Sequence, residues 1–135
     1  MADGNGNAAL VVDSLDVRYS GVPAVAGASF QVNRGEIVGL VGPNGAGKTS
    51  TLMAIMGAVP VRGGQITFEG RSLRGMSTEN IVRSGVALVP EGRRVFAPMS
   101  IAENLRLGGY TASKAEFDDT LARVYEMFPI LSERR

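Results

Sequence analysis

The sequence predicts an α/β fold in which a strand, a glycine-rich loop and a helix follow one another, with an antiparallel β-subdomain ahead of them. Three observations carry this. "EIVGLVG", Glu36 to Gly42, is a short continuous apolar run of the kind that forms inner strands of parallel sheets, covered on both faces. "VGPNGAGKTS", Val41 to Ser50, holds three glycines, one lysine and two hydroxyl side chains in ten residues. "LVVDSLDVRYS" alternates, placing Val11, Leu15, Val17 and Tyr19 on one period-2 face and Asp16 and Arg18 on the other.

The elements follow in chain order. Residues 1–8 are small and polar and predict a disordered tail, since they offer nothing to offset the entropy of ordering. The alternating stretch predicts a half-exposed strand, "SGVP" a turn, "AVAGASFQV" a second strand and "NRG" a second turn. The apolar run and its loop come next. "KTSTLMAIMGA" then puts Leu52, Ile55 and Met56 at helical spacing, with Gly57 as a C-terminal stop. "VRGGQITFEG" predicts another strand, and "STENIVRSG" a short helix capped by Ser77 or Thr78. "VALVP", Val86 to Pro90, is a second buried-type strand. "MSIAENLRLGG" predicts a helix capped at Ser100, with Glu103 completing a capping box. In "SKAEFDDTLARVYEMFP" the residues Phe117, Leu121, Val124, Tyr125 and Phe128 share one helical face up to Pro129, and "LSER" reads as helix end or linker.

Composition narrows the chemistry. The chain has 135 residues, 44% hydrophobic and 20% charged, with a net charge of +1, which fits one globular domain from residue 9 to 135 and gives no electrostatic reason to expect nucleic acid as a partner. Cysteine and histidine are both absent. Thiolate metal sites and histidine-dependent triads are thereby excluded. No run approaches the roughly 18 apolar residues of a membrane span. Lysine occurs only at 48 and 114, so the one in the glycine loop stands out.

Gly42 to Thr49 fits G-x-x-x-x-G-K-[ST], placed after an apolar strand and before a helix, as a phosphate-binding loop requires. Glycines let the backbone curve around phosphates with its N–H groups inward, and the helix N-terminus adds partial positive charge. Lys48 is expected to bridge the β- and γ-phosphates, Thr49 to offer its hydroxyl to Mg2+, and Ser50 to reach the α-phosphate. Pro43, Asn44, Gly45, Ala46 and Gly47 complete the cradle. A dinucleotide loop is the rival reading, but Ser50 stands where the third glycine of G-x-G-x-x-G belongs.

The β-subdomain with Tyr19 at its edge, together with "PNGAGKTS", resembles the nucleotide-binding subunit of an ABC transporter. "VPEGRRVF", "ENLRLGG" and "FPILSERR" narrow the resemblance to the smaller ATPase subunit of branched-chain amino-acid importers, and it runs from about Leu10 to Arg135. The resemblance implies a P-loop NTPase (ABC ATPase) core that binds ATP and Mg2+, with Tyr19 stacking on adenine and Ala24 packing beside it. Glu91 stands where most of the family has the glutamine that contacts magnesium and the attacking water, giving Thr49 and Glu91 as metal contacts. It further implies transmembrane permease subunits and a second ATPase subunit, in a homo- or heterodimer, as partners, Arg93 and Arg94 as contacts to the permease, and a cytoplasmic location on the inner face of the membrane.

The family's signature, its Walker B aspartate, the catalytic glutamate beside it and the switch histidine have no match in these residues. The resemblance therefore implies the N-terminal part of such a domain, an incomplete core with no complete catalytic set, whose strand at Ile37 to Val41 lacks a sheet neighbour. Two other functions stay open: a different P-loop kinase or GTPase, and a nucleotide-binding interaction module without turnover. Against a GTPase, N-K-x-D is absent and the only D-x-x-G lies at Asp3 to Gly6, upstream of the loop.

Overall fold

The computed structural model describes residues 7–92 and 94–134. It falls into two compact units, one ending at Leu88 and one starting at Val89.

The first unit is built on a four-stranded antiparallel sheet in the order β2-β1-β3-β4, with β1 at Ala8–Tyr19, β2 at Val22–Asn33, β3 at Val61–Phe68 and β4 at Arg71–Ser72. Two helices belong to it, α1 at Lys48–Ile55 and α2 at Thr78–Arg83. Val12, Leu15, Val17, Val25 and Ile66 from the sheet meet Ala54, Ile55 and Met56 around the end of α1, together with Leu73 and Ile81. Of the two caps proposed for α2, Ser77 is the one used, its hydroxyl accepting from the Asn80 N–H.

One feature of β1 escapes simple alternation. The sequence pattern places Val11 on the buried face, whereas Val12 is the buried residue, together with Leu15 and Val17. The reason is a bulge: pairing slips between Val12 and Leu15 against β2 and between Asp13 and Asp16 against β3, and Ser14 takes φ 52°. An extra residue reverses the inside-outside parity of everything beyond it. The Ser14 N–H is satisfied by Ser29 Oγ at 2.8 Å. Across the ladder, a Cβ on Gly64 would lie 2.4 Å from both the Asp13 and Ser14 carbonyl oxygens, so only glycine admits the bulged backbone there.

Other expectations need correction. β1 starts at Ala8, inside the stretch assigned to the tail, and the Asn7 carbonyl accepts from the Arg34 N–H at 3.0 Å; residues 1–6 lie outside the described residues. Leu52 is 42% exposed, and the inward side of α1 is Thr51, Ala54 and Ile55. Neither buried-type run joins a ladder: Glu36 to Gly42 and Val86 to Pro90 are unpaired, and Ile37 and Val41 are 99% and 93% exposed. An inner strand needs a hydrogen-bonded neighbour on each side, and no described strand supplies one. Among the described residues, no strand pairs with Ile37 to Val41.

The second unit is helical, with α3 at Ile101–Gly108, α4 at Lys114–Met127 and α5 at Pro129–Glu133. The Ser100–Glu103 capping box forms as predicted, and a second, Ser113 with Glu116, opens α4. Phe117, Leu121, Val124 and Tyr125 are half-buried, while Phe128 is exposed because the chain leaves helical geometry there before Pro129 begins α5. Gly109 seats the Phe117 ring: a Cβ there would lie 2.2 Å from Phe117 Cδ2.

Candidate functional site

Gly42 to Gly47 forms an open loop that runs directly into α1 at Lys48. Gly45 and Gly47 both take φ 86°, the left-handed region that glycine occupies without strain. Gly47 is the N-cap, with no side chain capping the helix and no acidic residue in its first turn. The first N–H groups of a helix have no partner within it, so those of α1 are left for an external acceptor at the positive end of the helix dipole. A buried hydroxyl, Thr51 Oγ1, donates to the Gly47 carbonyl at 2.9 Å and the Thr51 N–H donates to the same oxygen at 2.8 Å, which ties the loop's end to the helix.

Lys48 adds the charge. Its ammonium donates to the Gly42 carbonyl at 2.7 Å and to the Pro43 carbonyl at 2.8 Å, so it lies across the mouth of the loop that carries it. Two of its three protons are thus held by the loop. Asn44, Gly45 and Ala46 form the exposed crest, and the Ala46 N–H turns back to the Pro43 carbonyl at 3.1 Å. Thr49 is exposed and Ser50 half-buried.

Two residues of the sheet reach this loop. Tyr19, at the end of β1, donates its hydroxyl to Ser50 Oγ at 3.4 Å. Ala24, in β2, lies against Gly47: a Cβ on that glycine would sit 2.3 Å from the Ala24 carbonyl oxygen and 3.1 Å from Val25 Cγ2. The structure therefore gathers Tyr19, Ala24 and the whole of Gly42–Ser50 at one place in the first unit. A cavity of about 490 Å³ lined by Ala54, Gly57, Val59, Leu73 and Met76 shares no residue with it.

The family model described as ABC transporter matches residues 25–134. The chain belongs to the ABC transporter family. It is 40% identical over 125 residues to the high-affinity branched-chain amino acid transport ATP-binding protein BraG of Pseudomonas aeruginosa, an alignment that covers 93% of this chain and 54% of that protein. With LivG of Salmonella typhimurium, named as an ATP-binding protein of the same kind of transport, the identity is 40% over 96 residues, 71% of this chain and 38% of that one. A solved ATP-binding subunit of an ABC transporter superposes with a TM-score of 0.79 at 32% identity, over 93% of this chain and 52% of its own. A second ATP-binding cassette, at 20% identity and a TM-score of 0.80 over 94% of this chain and 56% of its own, shares the fold. The chain thus spans between 38% and 56% of the length of these relatives.

Membership of the ABC transporter family implies nucleotide binding. Thr49 belongs to the first unit and Glu91 to the second. Glu91 is exposed, and its carbonyl accepts from Arg94 Nε at 3.1 Å. Arg93 lies outside the described residues. Sequence reasoning missed the Tyr19–Ser50 hydrogen bond and the return of Lys48 onto its own loop, since no spacing signals either. The close approach at Gly47 was legible only as a glycine, without the partner that demands it. No described helix is long and apolar enough to cross a membrane.

Proposed function

We propose that this chain is the nucleotide-holding N-terminal part of the ATP-binding subunit of an ABC importer, which in the intact protein couples ATP hydrolysis to branched-chain amino-acid uptake. The observation that carries the reading is the loop: two glycines at φ 86° lead into an uncapped helix start, with a lysine ammonium at the mouth. That arrangement suits a polyphosphate, because it offers N–H donors, a dipole and a cation to negative oxygen and places no carboxylate in the helix's first turn. The transport assignment rests on the similarity to BraG.

In this reading Lys48 exchanges its loop carbonyls for β- and γ-phosphate oxygens, Ser50 faces the α-phosphate, and Tyr19 presents its ring to adenine with Ala24 beside it. Stacking of that kind contributes about 1–3 kcal/mol. Magnesium, when bound, neutralises phosphate charge; Thr49 would hold it, and the family resemblance assigns Glu91 to it as well. A carboxylate there keeps an oxygen ligand for a hard cation. No residue of this chain matches the family's general base, so the proposal is binding without turnover by these 135 residues. Permease subunits and a second ATPase subunit, at the inner face of the membrane, complete the proposed assembly.

Calorimetric titration with Mg-ATP, Mg-GTP and ADP, run beside a phosphate-release assay, tests this. ATP binding that Lys48→Ala weakens roughly ten- to a hundredfold, without phosphate release, is the expected result. Preference for GTP would overturn the ABC reading, and turnover would overturn the assignment of an incomplete catalytic set.

A further inference from the structure

Asn104 makes more hydrogen bonds than its place on a helix requires. It follows the capping residue Glu103 in the first turn of α3, and its side chain reaches back over the preceding loop. Its Oδ1 accepts from the Phe96 N–H at 2.8 Å, while the two protons of Nδ2 are shared among the carbonyls of Phe96, Met99 and Ser100, at 3.1, 3.2 and 2.9 Å. The partners fix which way the amide faces, since an N–H needs the oxygen and three carbonyls need the nitrogen. Phe96 is therefore held on both its backbone groups, as a neighbouring strand would hold it. Its carbonyl also accepts from the Met99 N–H at 2.9 Å, closing a turn over Ala97 and Pro98.

Hydrophobic burial does not hold this segment: Val95 and Phe96 are 68% and 58% exposed. The hold is polar and converges on one side chain. From Phe96 the chain leads back through Val95 to Arg94, whose Nε donates to the Glu91 carbonyl at 3.1 Å. We propose that Asn104 is a positioning residue for Glu91: by gripping Phe96 on both backbone groups it fixes the point from which Arg94 reaches Glu91. The function given to Glu91 rests on the nucleotide reading above; the grip itself does not. Asparagine suits the task because one planar group supplies both donor and acceptor, whereas an ionised aspartate has no donor and alanine has neither.

The test uses isotopically labelled 135-residue chain in solution. In Asn104→Ala, exchange of the Phe96 amide is expected to be about tenfold faster, and the Arg94 Nε–H and Glu91 amide resonances are expected to shift, with the melting temperature within a few degrees of the parent. A residue that merely supported α3 would lower the melting temperature and leave the Arg94 signal in place. Asn104→Asp, which keeps the acceptor for the Phe96 N–H, should retain more protection at Phe96 than the alanine variant while still moving the Glu91 and Arg94 signals. Unchanged Arg94 and Glu91 signals in both variants, or in Asn104→Asp alone should the alanine variant not fold, would overturn the proposal. A parent chain that binds no nucleotide yet shows these shifts upholds the grip and overturns the nucleotide reading, so the two failures are told apart.

Discussion

Gly47 and Ala24 lie so close that a single Cβ on the glycine would fall 2.3 Å from the Ala24 carbonyl oxygen. This contact joins the glycine-rich loop to β2, and Gly47 also takes φ 86°, so an alanine there meets both backbone strain and a clash with main chain that cannot swing aside. Left-handed strain alone costs about 1–3 kcal/mol. Gly47→Ala should therefore lower the unfolding free energy by at least that much and also displace the start of α1, weakening nucleotide binding. Denaturant unfolding and ATP titration of the same variant check both halves. Binding and stability equal to the parent would show that loop and strand are not in contact in solution.

Lys48 is expected to matter before any nucleotide arrives. Its hydrogen bonds to Gly42 and Pro43 hold the loop's first turn, so Lys48→Ala removes the proposed phosphate ligand and also a brace. Hydrogen bonds to charged groups are each worth about 1.5–3 kcal/mol, which corresponds to a loss in ATP affinity of roughly ten- to a hundredfold. Amide exchange across residues 42–47 of the nucleotide-free chain should quicken in the variant. Exchange that stays at the parent rate would limit the lysine to its contact with phosphate.

Adjacent glycines in β3 offer a paired test of the bulge. Gly64 has φ 83°, and a Cβ there would lie 2.4 Å from the carbonyl oxygens of Asp13 and Ser14, whereas the nearest atom to a Cβ on Gly63 is Asp16 Cβ at 3.4 Å. Gly64→Ala should destabilise the chain by at least about 1–3 kcal/mol. Gly63→Ala should fall within roughly 1 kcal/mol of the parent. Equal melting temperatures for the two variants would mean that the bulge yields to the added methyl group.

The two capping boxes set an acid limit for the helices. Backbone and side-chain hydrogen bonds from Ser100 hold the Glu103 carboxyl below the usual glutamate range, and hydrogen bonds from the Ser113 hydroxyl and N–H do the same for Glu116. A depressed folded-state pKa gives stability that is present above the unfolded value and lost as pH falls through the folded one. Helical circular dichroism and the melting temperature should therefore hold from neutral pH down to the ordinary glutamate range, about pH 4.3, and decline below it. Glu103→Gln combined with Glu116→Gln should flatten the part of that decline owed to these two groups. A decline of the same steepness in the double variant would assign it to other carboxylates.

Much of this site was legible because its chemistry is local. The loop motif and the Ser100–Glu103 box are fixed by spacings of a few residues, and the α2 cap falls on Ser77, one of the two residues the sequence offered. What stayed hidden depends on partners far along the chain. The bulge at Ser14 moves burial from Val11 to Val12 because of contacts with Ser29 and Gly64, which no window around β1 contains. Leu52 faces outward, although its helical spacing matched the apolar pattern, because Thr51 and Ala54 take the inward side of α1. Asn104 read as an ordinary helix residue because its partners, Phe96 and Met99, are backbone groups, to which composition is blind.

The unpaired run beside the loop carries the last prediction. Ile37 and Val41 are almost wholly exposed, Val38 and Leu40 are each 43% exposed, and none of the backbone from Glu36 to Gly42 joins a ladder. An apolar segment with free backbone donors and acceptors is a template for pairing with another chain. The 135-residue chain should therefore associate in a concentration-dependent way, seen by sedimentation velocity as a weight-average mass that rises with loading. Ile37→Lys places a charge at the most exposed position of the run and breaks no packing contact, so it should shift association to higher concentration without lowering the melting temperature. A parent chain that sediments as a monomer at every loading, with a sharp cooperative melt, would show that the run satisfies its backbone within its own chain.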